Sequence, residues 1–173
     1  MTSFRESAHS LLPDLALRER TDDDYAFLSD VYASSREEEF RPVDWPEAQK
    51  RAFLHDQFAR QHAHYAQHYP RAEWLVIERD GVRIGRLYLE TTRVERRLMD
   101  VCLLPDYRNQ GIGTALMRAL LADADTLGLP VTLHVEPFNP ALRLYTRLGF
   151  VEREQRGIYL FMGRPVNAPG TSA

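Results

Sequence analysis

Apolar and polar residues divide the chain into segments of two periods. Leu15, Leu17 and Glu19 begin a strand. Thr21 then reads as a helix N-cap, with Asp24 at the capping-box position, and Asp22, Asp23 and Asp24 complement the helix dipole. Tyr25, Leu28, Val31 and Tyr32 give this helix its apolar face. From Ser34 to Trp45 the chain is polar and acidic, with Glu37, Glu38 and Glu39 in a row, and reads as a loop. Pro46 suits the first turn of a second helix, which runs to about Tyr69, where Pro70 stops it. Leu54, Phe58 and Tyr65 mark its inner side.

Glu73 to Arg79 is a predicted strand, Asp80-Gly81 a two-residue hairpin turn, and Val82 to Glu90 the partner strand. Leu98 to Leu104 is a third long strand. Gly111 to Leu127 is a helix with Ile112, Leu116, Leu120 and Leu127 along one side, and Gly128 closes it. In the short strand Val131 to Val135, Val131, Leu133 and Val135 face one way, and Thr132, His134 and Glu136 the other. Asn139 caps a further helix, Pro140 takes its first position, and Gly149 ends it. Phe150 to Glu154 and Ile158 to Met162 form a last strand pair. Hairpins followed by a strand–helix–strand crossover predict an α/β fold with a mixed sheet, antiparallel first and parallel at the crossover.

At 173 residues the chain suits one domain, assigned to residues 14–164, with loose ends at 1–13 and 165–173. With 44% apolar residues, 27% charged residues and a formal charge of −3, the chain resembles an ordinary globular protein and has no strong pull toward nucleic acid or anionic membrane. Arg93, Arg96 and Arg97 form only a short basic cluster. The single cysteine, Cys102, lies in an apolar run and reads as a small buried hydrophobe. The first residues lack the apolar core of a signal peptide, and no apolar run reaches the ~20 residues of a membrane helix, so a cytoplasmic protein is expected.

The most informative stretch runs from Leu103 to Thr114 (LLPDYRNQGIGT) and joins a strand to a helix. Its glycines let the backbone curl around a ligand, and the free N–H groups of a helix start favour an anion. Arg108 adds a positive charge. The stretch lacks the Gly-Lys-Ser/Thr ending of a P-loop and the third glycine of a dinucleotide site. A diphosphate cradle is one reading, and a tight turn with a Gly-rich helix start is the other.

Arg108-x-x-Gly111-x-Gly113 after a strand resembles the acetyl-CoA signature of the GCN5-related N-acetyltransferase superfamily. The segment from Asn139 to Phe150 (NPALRLYTRLGF) resembles that family's closing motif, and the order of elements agrees over about Leu15 to Met162. The resemblance implies a central mixed sheet of six to seven strands flanked by about four helices. In it, the strand before the loop splays from Val131–Val135. It further implies that pantetheine pairs with the backbone near Val101, Cys102 and Leu103. The backbone from Arg108 through Asn109, Gln110, Gly111, Ile112 and Gly113 to Thr114 would bind the diphosphate. Asn139 would contact the cofactor or a nearby water, and Tyr145 would protonate the leaving thiolate. The Asn-to-Tyr spacing is one residue shorter than usual, which a helix restarted at Pro140 would absorb.

The activity so implied is transfer of an acetyl group from acetyl-CoA, without a metal, to the primary amine of a small molecule or peptide. The alternative is a non-catalytic coenzyme-A-binding module of the same fold. A homodimer is compatible with either. A phenol can protonate a leaving thiolate, and a strand N–H can stabilise the oxyanion. For the general base, His134 has a suitable pKa and lies on the polar face of its strand, although a structural histidine reads equally well. Glu136 on the same face and Asp100 on the central strand are further candidates. Where other relatives carry a base, this chain has Arg97 and Met99. The acceptor side would be lined by the loop carrying Arg36, Glu37, Glu38, Glu39, Phe40 and Trp45, with Tyr159 at its border. A simple solvated acidic loop is the favoured reading of those residues. His55, His62, His64 and His68 share one helix; despite the i,i+4 spacing of His64 and His68, no third ligand is evident.

Overall fold

The computed structural model describes residues 4–167. In chain order the elements are α1 (Phe4–Leu11), β1 (Leu15–Glu19), α2 (Tyr25–Phe40), α3 (Glu47–His68), β2 (Glu73–Arg79), β3 (Val82–Thr91), β4 (Arg96–Leu103), α4 (Ile112–Leu127), β5 (Val131–Val135), α5 (Leu142–Arg147), β6 (Val151–Arg156) and β7 (Tyr159–Arg164). The strands form one sheet in the order β1-β2-β3-β4-β5-β7-β6. Only β4 and β5 run parallel, joined through α4; every other neighbouring pair is antiparallel. This is the mixed sheet that the hairpin and crossover signals predict.

Local chemistry sets several joints. Asp80 and Gly81 both have positive φ, 50° and 78°, as a tight two-residue hairpin turn requires. The Thr21 N–H donates to Asp24 at 2.8 Å, completing the capping box before α2. Asp24 is buried, and its bond from Arg18, helped by Arg83, holds its carboxyl well below the usual carboxylate range. That carboxylate ties β1, the α2 entrance and β3 together.

Side chains from alternate strand positions build two layers. Leu75, Ile77, Leu87, Leu89, Leu98, Val131 and Leu133 pack with α1 and α4. Val76, on the opposite face, packs with Leu28, Tyr32, Leu54 and Phe58 of α2 and α3. A buried ion pair between Arg96 and Asp123 fastens α4 to the start of β4.

Two segments differ from the sequence reading. Residues 4–11, expected among the loose ends, form α1, which buries Phe4 and Ala8 against the core. An eight-residue helix is marginal alone, so tertiary packing decides it. The acidic stretch after Ser34 is not a loop, because α2 continues to Phe40. Ser34 and Ser35 turn their hydroxyls back onto the Val31 and Tyr32 carbonyls, and Arg36 pairs with Glu39 at 2.9 Å along the helix. Polar residues of fair helix propensity extend a helix readily when their side is solvated.

Gly85 lies where β3 passes β4, and a Cβ there would fall on the Cys102 carbonyl oxygen. Gly85→Ala should therefore cost about 1–3 kcal/mol, read as a lower urea midpoint at unchanged m-value. An unchanged midpoint would show that the two strands can separate freely at this point.

Candidate active site

The sheet opens in its middle. β4 and β5 pair only from Arg96↔Val131 to Leu98↔Leu133, although both strands continue beyond. A register shift between Tyr88 and Leu89 of β3 leaves Met99 as an extra residue on β4, immediately after the last paired position. From Met99 to Leu103 this central strand is only half-buried, because its neighbour has moved away. The splaying implied by the resemblance is present.

Antiparallel register decides which backbone groups face the gap. Leu104 N–H donates to Ile84 O at 2.8 Å, so Cys102, two residues earlier, also turns its backbone toward β3. Val101 and Leu103 then point theirs into the opening. The Cys102 peptide groups therefore pair with β3 rather than face the opening. Burial pushes its thiol up to about 11, with the Asp100 charge adding to the effect, so it is protonated at neutral pH and is no nucleophile.

The loop after β4 is a short 3₁₀ turn, Pro105–Tyr107, followed by positive φ at Asn109 (59°) and Gly111 (82°). Among the described residues, the backbone N–H groups of Asn109 to Thr114 have no hydrogen-bond partner. A Cβ on Gly111 or Gly113 would meet nothing within 4 Å. Ile112 is buried and anchors this turn to the core. The result is an open row of donors at the start of α4 that fits a diphosphate. The Arg108 side chain has partners of its own. Its Nε donates to Leu103 O at 2.8 Å and its Nη2 to Ser34 O at 3.3 Å, back toward α2. Gln110 is likewise engaged, donating to Asp106 O at 2.6 Å and accepting from Arg79 at 3.2 Å.

On the far side of the gap, the Asn139 side chain accepts from Ala141 N–H at 2.9 Å, and α5 starts at Leu142 rather than at Pro140. The six residues of α5 bring Tyr145 inward. Tyr145 is 7% exposed, packs on Phe150 at 5.7 Å, and its hydroxyl has no hydrogen-bond partner among the described residues. Burial first, then the charge of Asp100, pushes this phenol up to about 12. Tyr145 therefore lies within electrostatic reach of Asp100.

The three base candidates have different surroundings. Asp100 accepts from Nε of Arg86 at 2.6 Å, and Arg86 is itself only 2% exposed. Glu136 lies 3.7 Å from Nη1 of Arg36. His134 is exposed, packs its ring 5.0 Å from Phe161, and has Nε2 3.4 Å from Nη1 of Arg156. Partial burial, then Arg97 and Arg156, lowers its pKa below the usual 6.5. Arg97 is paired with Glu95 at 2.5 Å.

Glu37 lines a cavity of about 470 Å³ between α2 and α3, together with Asp30, Ser34, Glu47, Lys50 and Arg51. Neither Tyr145 nor Asp100 borders this cavity. Phe40, Trp45 and Phe53 pack together at its end. Arg86 and Tyr65 were not singled out as site residues from the sequence, yet Arg86 bonds Asp100 and Tyr65 feels its charge. Tyr65 stacks on Trp74 and is pushed up to about 12 by burial and then by Asp100; Tyr159 also acts on it. An arginine between apolar neighbours in a predicted strand was the available signal for Arg86. His64 and His68 are exposed with rings 4.3 Å apart, and the described residues contain no group of three or more potential metal ligands. No helix among the described residues is long and apolar enough to cross a membrane.

Comparison with known proteins agrees with this fold. The chain is similar in structure to PaiA N-acetyltransferase from Thermoplasma acidophilum in complex with coenzyme A, with 18% identity, a TM-score of 0.67, and coverage of 87% of this chain and 98% of that one. A GCN5-related N-acetyltransferase from Rhodopseudomonas palustris matches at 21% identity and TM-score 0.61, covering 87% and 94%. The ribosomal-protein-S18-alanine N-acetyltransferase from Escherichia coli matches at 19% identity and TM-score 0.61, covering 92% and 98%. At such identities the likeness is one of fold. No curated protein matches the chain by sequence. The model of the acetyltransferase (GNAT) family matches residues 24–150. With most of its length matched, the chain belongs to the GNAT acetyltransferase family.

Proposed function

We propose that this acetyltransferase moves the acetyl group of acetyl-CoA to a primary amine by direct attack, with Tyr145 as general acid and His134 as general base. The observation that carries the reading is the alignment of three features along one gap. They are the unpaired N–H row from Asn109 to Thr114, the inward backbone of Val101 and Leu103, and the unpartnered hydroxyl of Tyr145. Acetyl-CoA would supply a thioester open to attack and a thiolate that must leave.

The loop donors would hold the diphosphate, and the free edge of β4 the pantetheine arm. Tyr145, with its pKa near 12, stays protonated across the working pH range and can give its proton to a leaving thiolate. Asp100 is bonded to the buried Arg86, which occupies its carboxylate. Glu136 is likewise held beside a cation. His134 is the exposed candidate, and its lowered pKa leaves it neutral and able to accept a proton at pH 7. Asn139, exposed at the rim, suits a contact with the pantetheine arm or its water.

Tyr145→Phe should reduce turnover by about 10²–10⁴-fold while acetyl-CoA still raises the melting temperature. A near-normal rate would remove Tyr145 from the mechanism. Gly113→Ala separates binding from stability. The unliganded protein should melt no lower, since alanine suits a helix better and meets open space, yet acetyl-CoA binding should weaken. Unchanged affinity would place the diphosphate elsewhere. The pH–rate profile supplies the test of His134. Protonation below its pKa disables it, so activity should fall only below about pH 6.5. His134→Ala should remove that limb, and Arg156→Ala, by deleting a neighbouring cation, should move it to higher pH. A limb indifferent to both substitutions assigns the base role to another group.

A further inference from the structure

Helix α2 is attached to both arms of the opening. On the β4 arm, Arg108 bonds Leu103 O at 2.8 Å and Ser34 O at 3.3 Å, and the Cys102 thiol lies 3.8 Å from Val31 O. On the β5 arm, Arg36, two residues beyond Ser34, reaches to 3.7 Å from Glu136, the residue just past the strand's end. Between these anchors the sheet imposes no spacing, because β4 and β5 stop pairing at Leu98 and Leu133. A helix is far stiffer than two unpaired strand ends. Whatever holds α2 to both arms therefore sets the width of the gap.

The Arg36–Glu136 contact suits this role. Their side chains are only 30% and 19% exposed, so solvent screens the pair less than at an open surface. Glu39, at 2.9 Å along α2, pre-orients the arginine. We infer that Arg36 and Glu136 are positioning residues: they strap α2 across the open end of β4 and β5 and fix the gap in which the thioester lies. This rests on the proposed placement of acetyl-CoA in that gap. It also gives Glu136 a task other than proton abstraction.

Reciprocal charge reversal tests it, with acetyl-CoA as the calorimetric probe and the melting temperature of each unliganded protein as the control. Arg36→Glu and Glu136→Arg should each weaken acetyl-CoA binding about three- to tenfold, while the double variant recovers most of the loss. Unliganded melting temperatures should stay within about 4 °C of the parent. If a reversal fails to fold, Arg36→Gln and Glu136→Gln take its place and should weaken binding in the same direction, and Arg36→Lys should bind as the parent does. Single variants that bind like the parent, or a double variant no better than the worse single, would overturn the strap. Failure of the parent protein itself to bind acetyl-CoA would instead overturn the placement of the cofactor, and the strap with it.

Discussion

The parting of two parallel strands after three paired residues is the constraint on which the rest of this molecule depends. A buried peptide group without a partner is costly, so a sheet cannot simply stop pairing in its centre. Here the cost is limited by exposing β4 from Met99 onward and by Arg108, whose Nε donates to the inward-facing Leu103 O. The extra residue at Met99 makes the divergence local. The start of α4, with its own unpaired donors, follows that strand directly, so one gap offers strand-like pairing and anion binding in sequence.

Charge around the opening is arranged by pairing. Arg86 with Asp100, Arg97 with Glu95, Arg36 with Glu136 and Glu39, and Arg156 with Glu154 each bring a cation to a carboxylate. His134 differs, because cations surround it and no carboxylate lies within hydrogen-bond reach among the described residues; Glu95 acts on it only weakly. Tyr145 differs in the other direction, since burial and a nearby anion both keep its proton on. The environments thus raise the pKa of Tyr145 and lower that of His134, and the described residues contain no metal-ligand cluster.

The helices answer to the same opening. α4 is fixed to β4 through the buried Arg96–Asp123 pair, and it carries the donor row at its other end. α2 lies on the opposite face and touches both strand ends. Arg108, the charged residue of the loop motif, serves the second attachment: its guanidinium turns from the donor row to Leu103 and Ser34.

Periodicity and turn chemistry alone determined most of the architecture. The Asp80-Gly81 turn, the alternation of Val131 to Val135 and the glycine stops at Gly128 and Gly149 act over a few residues, so their outcome was legible before any contact was known. The loop glycines and Tyr145 were legible for the same reason, as local motifs. What only the tertiary structure decided was long-range. The short α1 exists because Phe4 and Ala8 find a core to enter. The polar end of α2 is tied at Ser34 to Arg108 and at Arg36 to Glu136, both distant in the chain. Arg108 turns inward because Ser34, 74 residues earlier, presents a carbonyl. The sorting of Asp100, His134 and Glu136 depends on Arg86, Arg156 and Arg36, which reach them from β3, β6 and α2. A one-dimensional pattern records which groups a segment carries; which charge stands beside which depends on how distant segments pack.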